Sequence, residues 1–272
     1  MLLSCYIYNV GKRVHGTPQN LAMKAKKLGF DCLMFGCWMD GSEGPKELGG
    51  KRIIDYMKAA DDAGLRVGLW AYPNSKRVGQ CMARVENVAE QYTREGRRVF
   101  EFLANCEKHM KDDADAWRSF RQQWCMIGEA CNNSWCSLAS YGLLDWHDGR
   151  DPDDPEDGGL PLDGKDHLFF PTLRPMFYSV GPKTAGRGIR DAVRRGWKEI
   201  GPSLPAIRRG WPKGSRAPDS LYDYTVSLKR DIELAGATMD RVAIWSWANM
   251  VASDPVAKQT RLDIRKLSEM DD

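Results

Sequence analysis

The chain has 272 residues, of which 42% are hydrophobic and 28% charged, and its formal net charge is +3. This is enough apolar material for a packed core. The positive charge is too small and too evenly dispersed to make nucleic acid the expected partner, and no run reaches the roughly 18 apolar residues of a membrane span.

Taken in order, the chain alternates short β-rich runs with amphipathic helical stretches. The first strand is Leu2–Val10; MLLSCYIYNV lacks the basic flank of a secretory leader, so synthesis in the cytoplasm is expected. A helix opens at Thr17-Pro18, a cap followed by proline at the first helical position, and closes at Gly29. The second strand is Asp31–Met39, followed by a helix over Lys51–Gly64. The third is Arg66–Tyr72, with a helix over Val78–Glu95, and the fourth is RVFEFLANC, ending near Glu107. A helix over Ala114–Gly128 leads to a fifth strand, Ser134–Gly142. A long acidic loop rich in proline and glycine follows, over about 145–168. The sixth strand is Leu173–Val180, with a helix over Arg187–Gly201; the seventh is Ser203–Trp211, with a helix over Ser220–Gly236. The eighth is Arg241–Trp247, and the last helix runs from about Pro255 to Leu267.

Eight strand–helix units of about 30 residues are the arithmetic of an α/β fold of the (β/α)8 TIM-barrel type, closed as one domain over 1–272. An open doubly wound sheet is the competitor. It would want fewer strands and a GxGxxG first turn, and the first strand runs into YNVGKRVHG instead. The eight cysteines form no CxxC pair and mostly sit in apolar runs, so they read as reduced, structural thiols.

In such a barrel the chemistry sits at the C-terminal ends of the strands. Those ends carry Tyr8, Trp38, Asp40, Tyr72, Asn105, Glu107, Tyr141, Tyr178, Trp211 and Trp247. Aromatic rings stack on the apolar faces of sugars, and amides and hydroxyls bond their hydroxyl groups, so this set points to a saccharide-sized cleft. Side chains alternate along a strand. Leu103, Asn105 and Glu107 therefore share the barrel face, while Phe102, Ala104 and Cys106 face the helices. A carboxyl in a partly dry aromatic pocket is pushed up and can act as a general acid, the role assigned to Glu107. Glycoside cleavage normally takes a second carboxylate; Asp40 is the first candidate for base or nucleophile and Asp145 the next, with retention and inversion both open. His15, His109, His147 and His167 form neither HExxH nor a His-x-His pair, so neither a metal nor another cofactor is expected. The acidic loop lacks EF-hand spacing and reads as solvated or as a lid.

The element order resembles that of the TIM-barrel glycoside hydrolases, in particular the lysozyme-like barrels that phages and bacteria use on peptidoglycan. The motifs that carry the resemblance are Asn105-Cys106-Glu107, where those families have Asp-x-Glu, and the last strand, IWSWANM. The resemblance implies a hydrolase acting on a polysaccharide such as peptidoglycan, with a saccharide as its partner. Asn105 cannot act as a carboxylate, which departs from the family pattern. The alternative is therefore a non-catalytic carbohydrate-binding or structural barrel, for example a phage-particle component with virion or homo-oligomer contacts.

Overall fold

The computed structural model describes residues 1–11, 14–41, 44–106, 110, 113–131, 134–141, 162–177, 182–206, 220–245, 247–251 and 255–270; for 41, 44, 141, 182, 183, 248, 249 and 256 it describes the backbone alone. The elements run β1 (Leu2–Ile7), α1 (Pro18–Leu28), β2 (Cys32–Gly41), β3 (Gly44–Glu47), α2 (Ile53–Asp62), β4 (Arg66–Tyr72) and α3 (Val78–Thr93). They continue β5 (Glu101–Asn105), α4 (Ala114–Ala130), β6 (Trp135–Tyr141), α5 (Asp166–Phe169), β7 (Thr172–Met176) and α6 (Pro182–Arg194). The remainder is β8 (Glu199–Ile200), β9 (Ser203–Pro205), α7 (Leu221–Leu234), β10 (Arg241–Trp245), α8 (Trp247–Met250) and α9 (Pro255–Ser268).

Parallel pairing runs β1-β10-β9-β7-β6-β5-β4-β2 and returns to β1, which pairs with both β10 and β2. That second pairing of β1 closes the ring and rules out the open sheet. The expected (β/α)8 barrel is therefore the fold. β3 is an antiparallel hairpin partner of β2, and β8 is a short addition beside β7.

Local chemistry explains why the helices start and stop where they do. Thr17 Oγ1 accepts from the Asn20 N–H at 3.2 Å, Pro18 stands at the first helical position, and Gly29 ends α1 at φ 93°. The Asp113 carboxylate caps α4 by accepting from the Ala116 N–H at 2.8 Å. Outward-facing residues such as Leu33, Phe35, Val67, Leu69, Phe102 and Ala104 join the inner faces of the helices in one buried layer. Each large side chain so buried contributes roughly 1.5–3 kcal/mol.

A smaller set faces the ring's interior: Tyr6, Cys32, Met34, Trp70, Tyr72, Leu103, Ala139 and Ala243. The alternation expected along the fourth barrel strand holds, with Leu103 inside and Phe102, Ala104 and Cys106 outside.

Several strand ends differ from the sequence reading. β1 stops at Ile7 and β10 at Trp245, and α6 begins at Pro182 and is complete by Arg194. β7 ends at Met176, so Tyr178 lies beyond it and outside the described residues, as do Trp211 and most of the acidic loop. Among the described residues no helix is long and apolar enough to cross a membrane, and no three metal-ligating side chains cluster.

Candidate active site

The interior of the barrel is built in layers. Near its N-terminal end, Arg66 lies over the Phe100 ring at 4.5 Å and Arg241 over Trp135 at 4.7 Å. Beside them Glu101 of β5 is fully buried and clasped by Arg174 of β7, with Nε donating to Oε1 at 2.7 Å and Nη2 to Oε2 at 2.6 Å. Ser137 donates to the same carboxylate at 2.5 Å, and Arg241 Nη1 approaches it at 3.6 Å. Burial alone pushes the Glu101 carboxyl up; the opposing charge and hydrogen bonds of Arg174, with Arg241 and Ser137, hold it below the ordinary carboxylate range. Tyr6 bonds Ser203 across the interior at 2.9 Å. This layer is a buried ion-pair network in which Arg174 Nη1 and Ser4 Oγ have no hydrogen-bond partner among the described residues.

The layer above it is aromatic. Trp70 of β4 lies 5.7 Å from Trp245 of β10 at 66°, and 6.1 Å from Tyr8 in a stacked pair at 30°. Tyr6 supports both indoles from below, at 6.3 Å from Trp70 and 5.4 Å from Trp245. Trp70 reaches this cluster by crossing β2, and Gly36 makes the crossing possible. A Cβ at Gly36 would stand 2.6 Å from Trp70 Cζ2 and 2.6 Å from the Tyr8 carbonyl oxygen. Gly68 plays the same part for Met34, whose Sδ lies 2.2 Å from where a Cβ would stand. Trp70 is 2% exposed, whereas Tyr8 and Trp245 are half-buried, so the cluster forms a floor with two partly open sides. The Tyr8 hydroxyl donates to Met39 Sδ at 2.9 Å.

Two polar atoms in this upper layer have no hydrogen-bond partner among the described residues: Trp70 Nε1, a donor, and Asn105 Oδ1, an acceptor. A buried polar group without a partner normally costs about 1–3 kcal/mol. Asn105 ends β5 on the same face as Glu101 and Leu103, in register with Ala139 of β6.

The sequence-derived candidates divide accordingly. Tyr8, Tyr72 and Asn105 stand on the barrel face, with Tyr72 packed into the interior cluster. Tyr141 ends β6, and its side chain is outside the described residues, as are Glu107, Tyr178 and Trp211.

Trp38, Asp40 and Trp247 do not join the mouth. β2 carries a bulge between Gly36 and Trp38, and the extra residue reverses the alternation. Trp38 then packs in the outer layer and Met39 turns inward. Asp40 turns outward with Trp38. Its side chain is fully buried, its Oδ1 accepts from Arg77 Nη1 at 2.8 Å, and it lies beside the Cys81 thiol of α3. Trp247 is displaced because the chain turns helical after Trp245. Its indole is buried in the outer layer and donates to the Val14 carbonyl at 3.4 Å.

Trp70 and Trp245 were missed at the sequence level, although both were legible by alternation. Trp70 shares a face with Tyr72 two residues on, and Trp245 shares one with Ala243. The described end of the acidic loop is held by an arginine. Arg121 of α4 bonds both Asp163 oxygens at 2.7 Å and Asp166 Oδ1 at 2.7 Å. Hydrogen bonds from Arg121 hold the Asp163 carboxyl down to about 2.

No protein-family model matches the chain, and no curated protein sequence does. Solved structures do match. A candidate α-L-fucosidase of Bacteroides thetaiotaomicron superposes with a TM-score of 0.63 at 10% identity, over 99% of this chain and 95% of its own. The spore cortex-lytic enzyme SleL of Bacillus megaterium gives 0.62 at 11%, over 96% and 73%. A GH18 chitinase from Cycas revoluta, solved with (GlcNAc)4, gives 0.61 at 8%, over 98% and 99%. The chain thus has the barrel fold of these glycoside hydrolases; at such identities the likeness is one of fold.

Proposed function

We propose that the protein is a glycoside hydrolase-like enzyme that cleaves a polysaccharide, with cell-wall peptidoglycan as the leading candidate and Glu107 as the general acid. The observation that carries this reading is the aromatic floor of Trp70, Tyr8 and Trp245 at the C-terminal end of the ring, with Asn105 on the strand that leads to Glu107. A sugar ring laid against the partly open Tyr8 and Trp245 rings would present hydroxyls to the Asn105 amide. Glu107 lies outside the described residues, and its assignment to this face comes from the alternation read in the sequence through Leu103 and Asn105.

In the proposed reaction Glu107 protonates the leaving glycosidic oxygen. Asp40 is turned to the helices and its Oδ1 is paired with Arg77, which argues against it as the second group. A sugar with a 2-acetamido substituent can supply its own nucleophile, the acetamido oxygen, as in substrate-assisted glycosidases. This favours a polysaccharide that contains N-acetylhexosamine. The fold likeness to a cortex-lytic enzyme and to a chitinase solved with (GlcNAc)4 agrees with that choice.

The test is turnover of purified peptidoglycan, chitin oligosaccharides and plain glucans by the wild type and by Glu107→Gln. The expected result is release of reducing ends from the acetamido substrates, lost in the variant while binding persists. Binding without turnover by the wild type would instead identify a non-catalytic saccharide-binding barrel.

A further inference from the structure

A second chemical feature lies on the outside of the barrel, at the end away from the aromatic floor. Cys125 of α4 and Cys136 of β6 line one open groove of about 570 Å³, together with Met126, Trp135, Leu168 and Phe169. The groove is apolar and accessible, with Met126 64% and Leu168 68% exposed.

The two sulfurs are brought together by a glycine. A Cβ at Gly128 would stand 2.6 Å from Cys136 Sγ, so only a bare backbone at that turn of α4 admits the thiol. Cys136 Sγ then lies 3.9 Å from the carbonyl oxygen of Trp124, the residue before Cys125, and the two thiols are near enough to act on one another electrostatically. Cys125 also donates to the Phe169 carbonyl oxygen at 2.8 Å.

The eight cysteines are all free, and seven are buried; Cys125 alone is partly exposed. Burial pushes the thiols of Cys32 and Cys37 up to about 12 and those of Cys5, Cys81 and Cys131 in the same direction, which suppresses their reactivity. The Cys125–Cys136 contact is asymmetric. Cys125 opens to the groove, while Cys136 is buried behind it against the Trp124 and Ser134 carbonyls. An accessible thiol beside a sheltered one is the arrangement of an attacking and a resolving cysteine.

We propose that Cys125 and Cys136 form a reversible intramolecular disulfide driven by a hydroperoxide. The Cys125 thiolate attacks one peroxide oxygen; the O–O bond breaks, hydroxide leaves, and a sulfenic acid remains on Cys125. The Cys136 sulfur then attacks the Cys125 sulfur, the S–O bond breaks, and the hydroxyl leaves with the Cys136 proton as water. Two thiols and one hydrogen peroxide thus become one disulfide and two waters. The proposal is independent of the glycosidase reading, since the groove includes Ser134 and Trp135 at the start of β6 and Pro171 just before β7, at the opposite end of the ring from the proposed active site.

The test treats the reduced protein with equimolar hydrogen peroxide, blocks residual thiols with iodoacetamide, and digests with a glutamate-specific protease. Cleavage after Glu129 separates Cys125 from Cys131 and Cys136. The expected result is a Cys125-to-Cys136 cross-linked peptide, loss of two of the eight thiols, and full reversal by dithiothreitol. In Cys136→Ala the same dose should leave a dimedone-reactive sulfenic acid on Cys125 and no cross-link. Should that variant fail to fold, wild-type alkylation decides: Cys125 should react about 10-fold faster than any other cysteine. Eight intact thiols after peroxide, a bridge to Cys131, or equal alkylation rates would overturn the proposal.

Discussion

The two halves of the barrel interior solve one problem in opposite ways. Toward the N-terminal ends of the strands the interior is charged: Glu101 is clasped by Arg174, contacted by Arg241 and bonded by Ser137, with Arg174 Nη1 and Ser4 Oγ left without a hydrogen bond among the described residues. Toward the C-terminal ends the interior is aromatic, and its polar atoms at Trp70 Nε1 and Asn105 Oδ1 have no described partner. The charges there are paired with one another, as a buried ion cluster requires, so the lower half is a plug. An unpartnered donor and acceptor beside three rings suit a ligand better than a core. The difference shows that one continuous set of inward-facing positions holds both the paired charges of the ring and its aromatic layer.

That contrast can be broken from either side. The largest effect is expected at the mouth, where Glu107→Gln should lower turnover by about 10²–10⁴-fold with an unchanged urea midpoint. A comparable loss of stability would instead make Glu107 part of the plug.

Next comes Glu101→Gln, which leaves Arg174 buried without a counter-charge and should destabilise by about 3–5 kcal/mol in urea unfolding. Replacing both partners by leucine should recover most of that loss. Because the folded-state carboxyl of Glu101 is held low, its contribution is complete above the unfolded value of about 4.3 and disappears as pH falls through the lower folded value. Stability of the wild type should therefore fall below about pH 4, and more steeply than that of the Gln variant.

Gly36→Ala should cost about 1–3 kcal/mol by overpacking, seen in thermal unfolding. It should also perturb the near-ultraviolet circular dichroism of Trp70, which the new methyl group would touch.

The smallest effect sharpens the comparison most. Asn105→Ala should weaken saccharide binding by about 0.5–1.5 kcal/mol, read by calorimetry, with little loss of stability, because its Oδ1 has no partner among the described residues.

Much of this was legible in the sequence because it depends on near neighbours. The helix over α1 follows from Thr17, Pro18 and Gly29, and the inward face of β5 from simple alternation through Leu103 and Asn105. Alternation fails wherever a distant partner changes the count. The bulge beside Cys37 in β2 turns Trp38 and Asp40 to the helices, and the helical turn after Trp245 carries Trp247 into the outer layer. The sequence also offers no sign that Arg174 lies opposite Glu101, because 73 residues separate them.

The sequence by itself determined the number and order of the strand–helix units and which side of most strands is apolar, since period and capping act over a few residues. Only the tertiary structure decided which aromatics form the floor. Trp70 meets Tyr8 and Trp245 only once β4, β2, β1 and β10 stand side by side in the closed ring, with Gly36 leaving the gap through which the indole passes.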